Sequence, residues 1–229
     1  MILVGDSLAM VALGYESTTE ITLEEMFHHS RAVSRGTKRS FLVGDMPFGS
    51  YQASPEDAAR NAIRFIKEAN VQAVKLEGGE HMGPAIEKVV GCGVPVLGHI
   101  GLTPQSVNVL GGFKVQGKTA DSAQQLVKDA LALQKAGCFA IVIEAVPSPI
   151  AEYITKQISI PTIGIGAGPH TSGQVLVTLD MLGVFDRFTP KFCRQYAQLA
   201  STCHNGLKKY IEDVRDQHKA QISSSQQEV

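Results

Sequence analysis

The sequence has little that would tie it to nucleic acid, a membrane or an oxidising compartment. Its 21 Lys and Arg stand against 22 Asp and Glu, a formal charge of −1, so it carries no basic footprint for a phosphate backbone. No apolar run reaches the roughly 18 residues that cross a bilayer. The first ten residues have no basic n-region, and Asp6 breaks their apolar stretch, so no signal peptide is expected. Cysteine is scarce, and Cys92, Cys138, Cys193 and Cys203 form no CxxC pair. That argues against a zinc site or a disulfide framework and predicts reduced thiols in an intracellular protein. Ser7 lacks a surrounding GxSxG elbow, which argues against nucleophilic catalysis and leaves its hydroxyl to bind a carboxylate oxygen. Gly164-Ile165-Gly166-Ala167-Gly168 is not the GxGxxG of a dinucleotide fold. It is expected to form a tight turn beside the site.

What is present is a repeat of strand and helix signals. Apolar strand runs are expected at 1–5, 41–45, 73–77, 94–98, 139–143 and 160–164, with a further strand near Gly183–Phe185. Helical patterns lie between them. Thr22-Leu23-Glu24-Glu25 opens one to about Gly36 as a capping box. Ser54-Pro55 opens another to about Asn70, with Ser54 as N-cap and Pro55 in the first turn. Further helices are expected over 83–91, 121–136 and 148–157. Alternation of this kind predicts a parallel sheet with right-handed crossovers. The insert over 98–120 is too long for an ordinary connection and is expected to be functional. Residues 1–192 are expected to form one barrel domain and 193–220 a helical extension. The polar stretch 221–229 is expected to be a disordered tail.

Acidic residues follow the strand runs. Asp6 and Asp45 each end a Val-Gly-Asp, Glu77 ends Val74-Lys75-Leu76-Glu77, and Glu144 ends Ile141-Val142-Ile143-Glu144. Adjacent parallel strands bring such carboxylates to one end of the sheet, where α/β folds build active sites. Carboxylates gathered there suit a hard cation such as magnesium together with an acid or base. Asp6 and Asp45 are candidate ligands, although Asp6 could instead cap a turn and Asp45 close an Asx turn before Pro47. Lys75 and Glu77 lie two apart and so share a face. They serve either a substrate carboxylate and a metal, or a structural ion pair. Glu144 is a candidate base whose pKa an apolar setting would raise, or a cap for the next helix. His99, also at a strand end, could bind substrate or orient a loop.

Several of these segments together resemble the ketopantoate hydroxymethyltransferase family. They are Val4-Gly5-Asp6-Ser7-Leu8, Gly44-Asp45-Met46-Pro47-Phe48, Val74-Lys75-Leu76-Glu77-Gly78-Gly79-Glu80, Gly98-His99-Ile100-Gly101-Leu102-Thr103-Pro104-Gln105-Ser106, Gly112-Phe113-Lys114-Val115-Gln116-Gly117 and the 164–168 turn. The resemblance implies a (β/α)₈ TIM barrel of the phosphoenolpyruvate/pyruvate-like kind. Because the sequence opens on a strand, the first βα unit is expected to be missing. It further implies magnesium held through Asp6 and Asp45 with Glu77 close by, and contact of Asp6, Ser7, Asp45 and Lys75 with a 2-oxo acid. Glu144 would be the proton acceptor and 5,10-methylenetetrahydrofolate the one-carbon donor. A homo-oligomer, decameric in bacterial members, is implied too, with a cytoplasmic location or, for a eukaryotic member, a mitochondrial one. Two alternatives stay open: a magnesium-dependent lyase or mutase on another 2-oxo acid, and an inactive truncated form that acts only in assembly.

Overall fold

A computed structural model describes residues 1–215. The strands are β1 (Ile2–Val4), β2 (Leu42–Asp45), β3 (Ala73–Lys75), β4 (Val96–Gly101), β5 (Ala140–Glu144), β6 (Thr162–Ile165) and β7 (Gly173–Gln174). The helices are α1 (Leu8–Val11), α2 (Leu23–Gly36), α3 (Pro55–Ala69), α4 (Gly83–Gly91), α5 (Val107–Leu110), α6 (Ala120–Lys135), α7 (Ser148–Gln157), α8 (Thr178–Met181) and α9 (Leu199–Arg215). The chain divides into two units, 1–175 and 176 onward. The first holds the whole sheet, and the second holds α8 and α9.

Every strand pairs in parallel with its sequence neighbour, giving the order β1-β2-β3-β4-β5-β6-β7. This is the curled sheet of a (β/α) barrel, with seven strands among the described residues where eight close one. The six expected strands all form, five within two residues of their expected bounds and β4 running three residues past its expected end, to Gly101. The seventh does not lie at Gly183–Phe185, where the chain turns, but at Gly173–Gln174. Two residues are too few to leave a periodic signal. The stretch after residue 190 is likewise irregular until α9 begins at Leu199. The tail expected over 221–229 lies outside the described residues.

Local chemistry explains the helix starts. Thr22 caps α2 with a reciprocal box to Glu25, and Ser54 caps α3 ahead of Pro55, while Asn70 ends α3 in the left-handed region at φ +57°. α3 lies against the sheet through Phe65, which is fully buried and meets Phe27 edge-on at 4.8 Å. Burial of a side chain that size is worth about 2–3 kcal/mol. The approach is possible because residue 44 is glycine: a Cβ there would stand 2.5 Å from the Phe65 ring.

The inner face of the sheet positions the site. Val43, Ala73, Leu97, Ala140 and Val142 form a buried apolar cluster with Leu3, Ile163 and Ile165 packed against it. Side chains two apart on a strand share a face. The same inward rows therefore run on from Val43 to Asp45, from Ala73 to Lys75, from Leu97 to His99 and from Val142 to Glu144. The interior is hydrocarbon at one level and charged at the next, toward the C-terminal ends of the strands.

Candidate active site

Lys75 stands at the centre of the charged level. Its Nζ lies 2.8 and 2.9 Å from the two oxygens of Asp45 and 3.0 Å from Glu77 Oε1. All three side chains are at most 3 % exposed. The Asp6 N–H donates to Asp45 Oδ2 at 3.0 Å. Asp6 is itself buried and accepts from Gln105 Nε2 at 3.0 Å. Glu77 Oε2 accepts the Gln105 N–H at 3.0 Å.

One ammonium faces three buried carboxylates. Burial works against the Lys75 charge, but Asp45, Glu77 and Asp6 together hold its pKa well above the usual lysine value. Glu77 is lowered: burial would raise it, and Lys75, His99 and the Gln105 N–H outweigh that. The uncompensated charge falls on the other two. Burial, with Asp45 next to it, pushes Asp6 well above the carboxylate range, and burial also raises Asp45 despite Lys75. A second cation would relieve that imbalance, and oxygen donors suit a hard one. The expected ligands Asp6, Asp45 and Glu77 do not, however, surround one point. Among the described residues no three His, Cys, Asp or Glu side chains do, and Lys75 stands between Asp45 and Glu77.

His99 joins this cluster to Glu144. Its Nε2 lies 2.8 Å from the Leu102 carbonyl and 3.3 Å from Glu144 Oε2. A carbonyl only accepts, so Nε2 carries a proton. Nδ1 faces Glu77 Oε1 at 3.6 Å and makes no hydrogen bond. Glu144 keeps 16 % exposure. Its side chain is therefore mostly buried, beside an imidazole, with a small share facing solvent. Its backbone is fixed by the loop after β4, because the Leu102 N–H donates to the Glu144 carbonyl at 2.8 Å. Gly101, at φ +92°, permits this, since a Cβ there would meet that carbonyl oxygen at 2.2 Å. Ala145, the next residue, sits at φ +49°, a costly conformation for a side chain to hold. Ser7 is half-buried ahead of α1, and its hydroxyl caps no N–H of that helix.

Two contributors have no assigned role in the sequence reading. Tyr51, fully buried, accepts the Glu77 N–H at 3.1 Å and donates to Gln105 Oε1 at 2.7 Å. Gln105 also donates to the Met46 carbonyl at 2.9 Å. Gln105 lies within the long 98–120 insert and inside the distinctive segment 98–106. That location was the available signal.

Residues 1–219 match the family model for ketopantoate hydroxymethyltransferase. The chain belongs to that family. It is 58 % identical over 216 residues to the 3-methyl-2-oxobutanoate hydroxymethyltransferase of Heliobacterium modesticaldum, covering 94 % of this chain and 78 % of that protein. It is 54 % identical to the protein of the same name from Syntrophus aciditrophicus, covering 94 % and 79 %. In fold it resembles a proposed phosphonomutase from Burkholderia cenocepacia J2315. The TM-score is 0.59 with 14 % identity, covering 89 % of this chain and 82 % of the other. Among the described residues no helix is long and apolar enough to cross a membrane.

Proposed function

We propose that this protein transfers a hydroxymethyl group from 5,10-methylenetetrahydrofolate to 3-methyl-2-oxobutanoate, giving 2-dehydropantoate for pantothenate biosynthesis. The reading rests on family membership and on one arrangement above all. A buried, over-acidic cluster built on Asp6, Asp45, Lys75 and Glu77 lies one imidazole away from a more open carboxylate, Glu144. The first part suits binding of an α-keto acid and a divalent cation, and the second suits proton removal.

In this proposal Asp6 and Asp45 hold magnesium and Glu77 stands beside them, orienting Lys75. Magnesium, when bound, supplies Lewis-acid polarisation of a keto carbonyl. Lys75 and the Ser7 hydroxyl bind the substrate carboxylate. Glu144 accepts the proton from C3, and the electron pair left on C3 delocalises into the keto group as an enolate. Lys75 offsets the charge that develops, and His99, whose Nε2–H is held by the Leu102 carbonyl, stands 3.3 Å from Glu144 Oε2. C3 then forms a bond to the methylene carbon of the folate as a methylene–nitrogen bond breaks. Water then adds its oxygen to that carbon as the bond to the second nitrogen breaks; the two nitrogens take up the proton removed from C3 and one from the water, and tetrahydrofolate leaves. A homo-oligomer is part of the same proposal.

Solvent deuterium exchange at C3 of 3-methyl-2-oxobutanoate, measured without folate, tests the base. Glu144→Gln is expected to slow exchange by about 10²–10⁴ fold. Exchange at the wild-type rate would remove Glu144 from that role. Production of 2-dehydropantoate with no folate present would sink the donor assignment.

A further inference from the structure

Gln105 makes more polar contacts within the acidic cluster than its place in a single 3₁₀ turn (Pro104–Ser106) suggests. It is 3 % exposed, and its amide has both ends occupied. Nε2 donates to Asp6 Oδ2 at 3.0 Å and to the Met46 carbonyl at 2.9 Å. Oε1 accepts from the Tyr51 hydroxyl at 2.7 Å and from Gln52 Nε2 at 3.1 Å. Its backbone N–H donates to Glu77 Oε2.

The orientation of this amide is dictated by its neighbours. A carbonyl oxygen accepts only, so the nitrogen must face Met46. The Tyr51 oxygen already accepts the Glu77 N–H, which leaves its own proton for Gln105 Oε1. A flipped amide would set oxygen against both Asp6 and the Met46 carbonyl, leave Gln52 without its acceptor there, and leave Tyr51 only the Glu77 carbonyl at 3.5 Å. The donor–acceptor sequence therefore runs one way, from Tyr51 through Gln105 to Asp6.

We propose that Gln105 is a positioning residue for the transfer reaction, fixing the Asp6 carboxylate through its side chain while its main chain fixes Glu77. It touches neither the 2-oxo acid nor the folate. Its task is to hold the acid that follows β1 and the acid that follows β3 in one geometry from the 3₁₀ turn that follows β4. The inference rests on the functional reading above, in which Asp6 is a cation ligand. Partners of this kind, standing behind a ligand, are typically worth about 10–100 fold in metal affinity or activity.

The decisive experiment is a double-mutant cycle of Gln105→Met with Asp6→Asn. Methionine keeps the length and the backbone N–H to Glu77 but removes every side-chain hydrogen bond. Calorimetric titration of manganese into the substrate-free protein gives the first readout, and kcat gives the second. Gln105→Met is expected to weaken manganese binding by about tenfold or more. In the Asp6→Asn background the same change is expected to cost less than about twofold, because the residue acts through Asp6. Wild-type manganese affinity in a folded Gln105→Met protein would overturn the proposal. So would a loss that persists undiminished when Asp6 is already asparagine. Circular dichroism and a urea midpoint establish that the variants fold. If the methionine variant does not, Gln105→Asn, which shortens the reach by one methylene, takes its place with the same expectations. Should the wild type bind manganese yet turn over no 2-oxo acid, the functional reading falls and Gln105 is judged on the binding cycle. Should it turn over without a divalent cation, the metal assignment falls and Gln105 is judged on the cycle in kcat.

Discussion

Lys75 Nζ reaches both oxygens of Asp45, at 2.8 and 2.9 Å, from the position directly opposite it in the β2–β3 register. The pair is a consequence of strand alignment. Once Val43 pairs with Ala73, the inward row places Asp45 beside Lys75 above the apolar layer. Removing Lys75 would leave three carboxylates buried with no cation. Lys75→Met is expected to cost about 3–5 kcal/mol, read from urea unfolding near neutral pH without divalent ions. Millimolar magnesium should restore part of that stability, and no restoration would argue against a cation site here.

Asp6 gives a pH signature. A carboxyl raised in the fold above its unfolded value of about 4 makes the native state hold the extra proton. Stability then falls as pH rises from about 4 toward the folded value. Glu77 acts in the opposite sense. Its lowered value gives stability that is complete above about 4.3 and lost as pH falls through the folded value. Asp6→Asn removes only the first effect. In the presence of EDTA the variant should be more stable than wild type at about pH 8, with a smaller difference at about pH 5. Equal urea midpoints for the two proteins at the higher pH would contradict the burial cost assigned to Asp6.

Tyr51→Phe deletes one hydroxyl, leaves the Glu77 N–H unpaired and leaves Gln105 Oε1 with only the Gln52 amide as donor. Each unsatisfied buried group costs about 1–3 kcal/mol. The variant is expected to lose stability in that range, and its kcat is expected to fall as Gln105 becomes free to turn. A neutral substitution by both measures would show that water replaces the phenol.

Gly101→Ala sets a methyl group 2.2 Å from the Glu144 carbonyl oxygen at φ +92°. Either the loop after β4 withdraws or Glu144 moves. The expected outcome is a loss of more than about 2 kcal/mol in stability. C3–deuterium exchange should also slow, although no functional group has been removed. Unchanged exchange would mean that the backbone of Glu144 tolerates displacement.

Asp6, Asp45 and Glu144 were legible in the sequence because each ends an apolar run of four or five residues, and Lys75 and Glu77 because they interrupt and end an otherwise apolar strand, where charge is conspicuous. The parity of Lys75 and Glu77 followed from strand geometry alone. Gln105 and Tyr51 were not assigned a role, since an amide in a single 3₁₀ turn and a phenol in a loop carry no periodic signal. Their role depends on which carboxylates lie opposite, and chain separations of 99 and 26 residues hide that. β7 was misplaced for a similar reason: two residues pair only because β6 offers an edge. The imidazole-flanked surroundings of Glu144 also depend on the segment after β4, which brings Leu102 against it.

Strand order has a bearing on how the molecule matures. Because each strand pairs only with the one before it, the sheet can assemble vectorially as the chain emerges, with no early strand waiting on a distant partner. The charged layer cannot follow that schedule. Asp6, Asp45 and Lys75 are all synthesised before the segment carrying Gln105, so a nascent chain of four strands holds a cluster of acids that is neither fully neutralised nor fully hydrogen-bonded. Closure of the 98–106 segment is then the event that commits the polar interior, and slow refolding phases should trace to it and not to the hydrocarbon layer beneath.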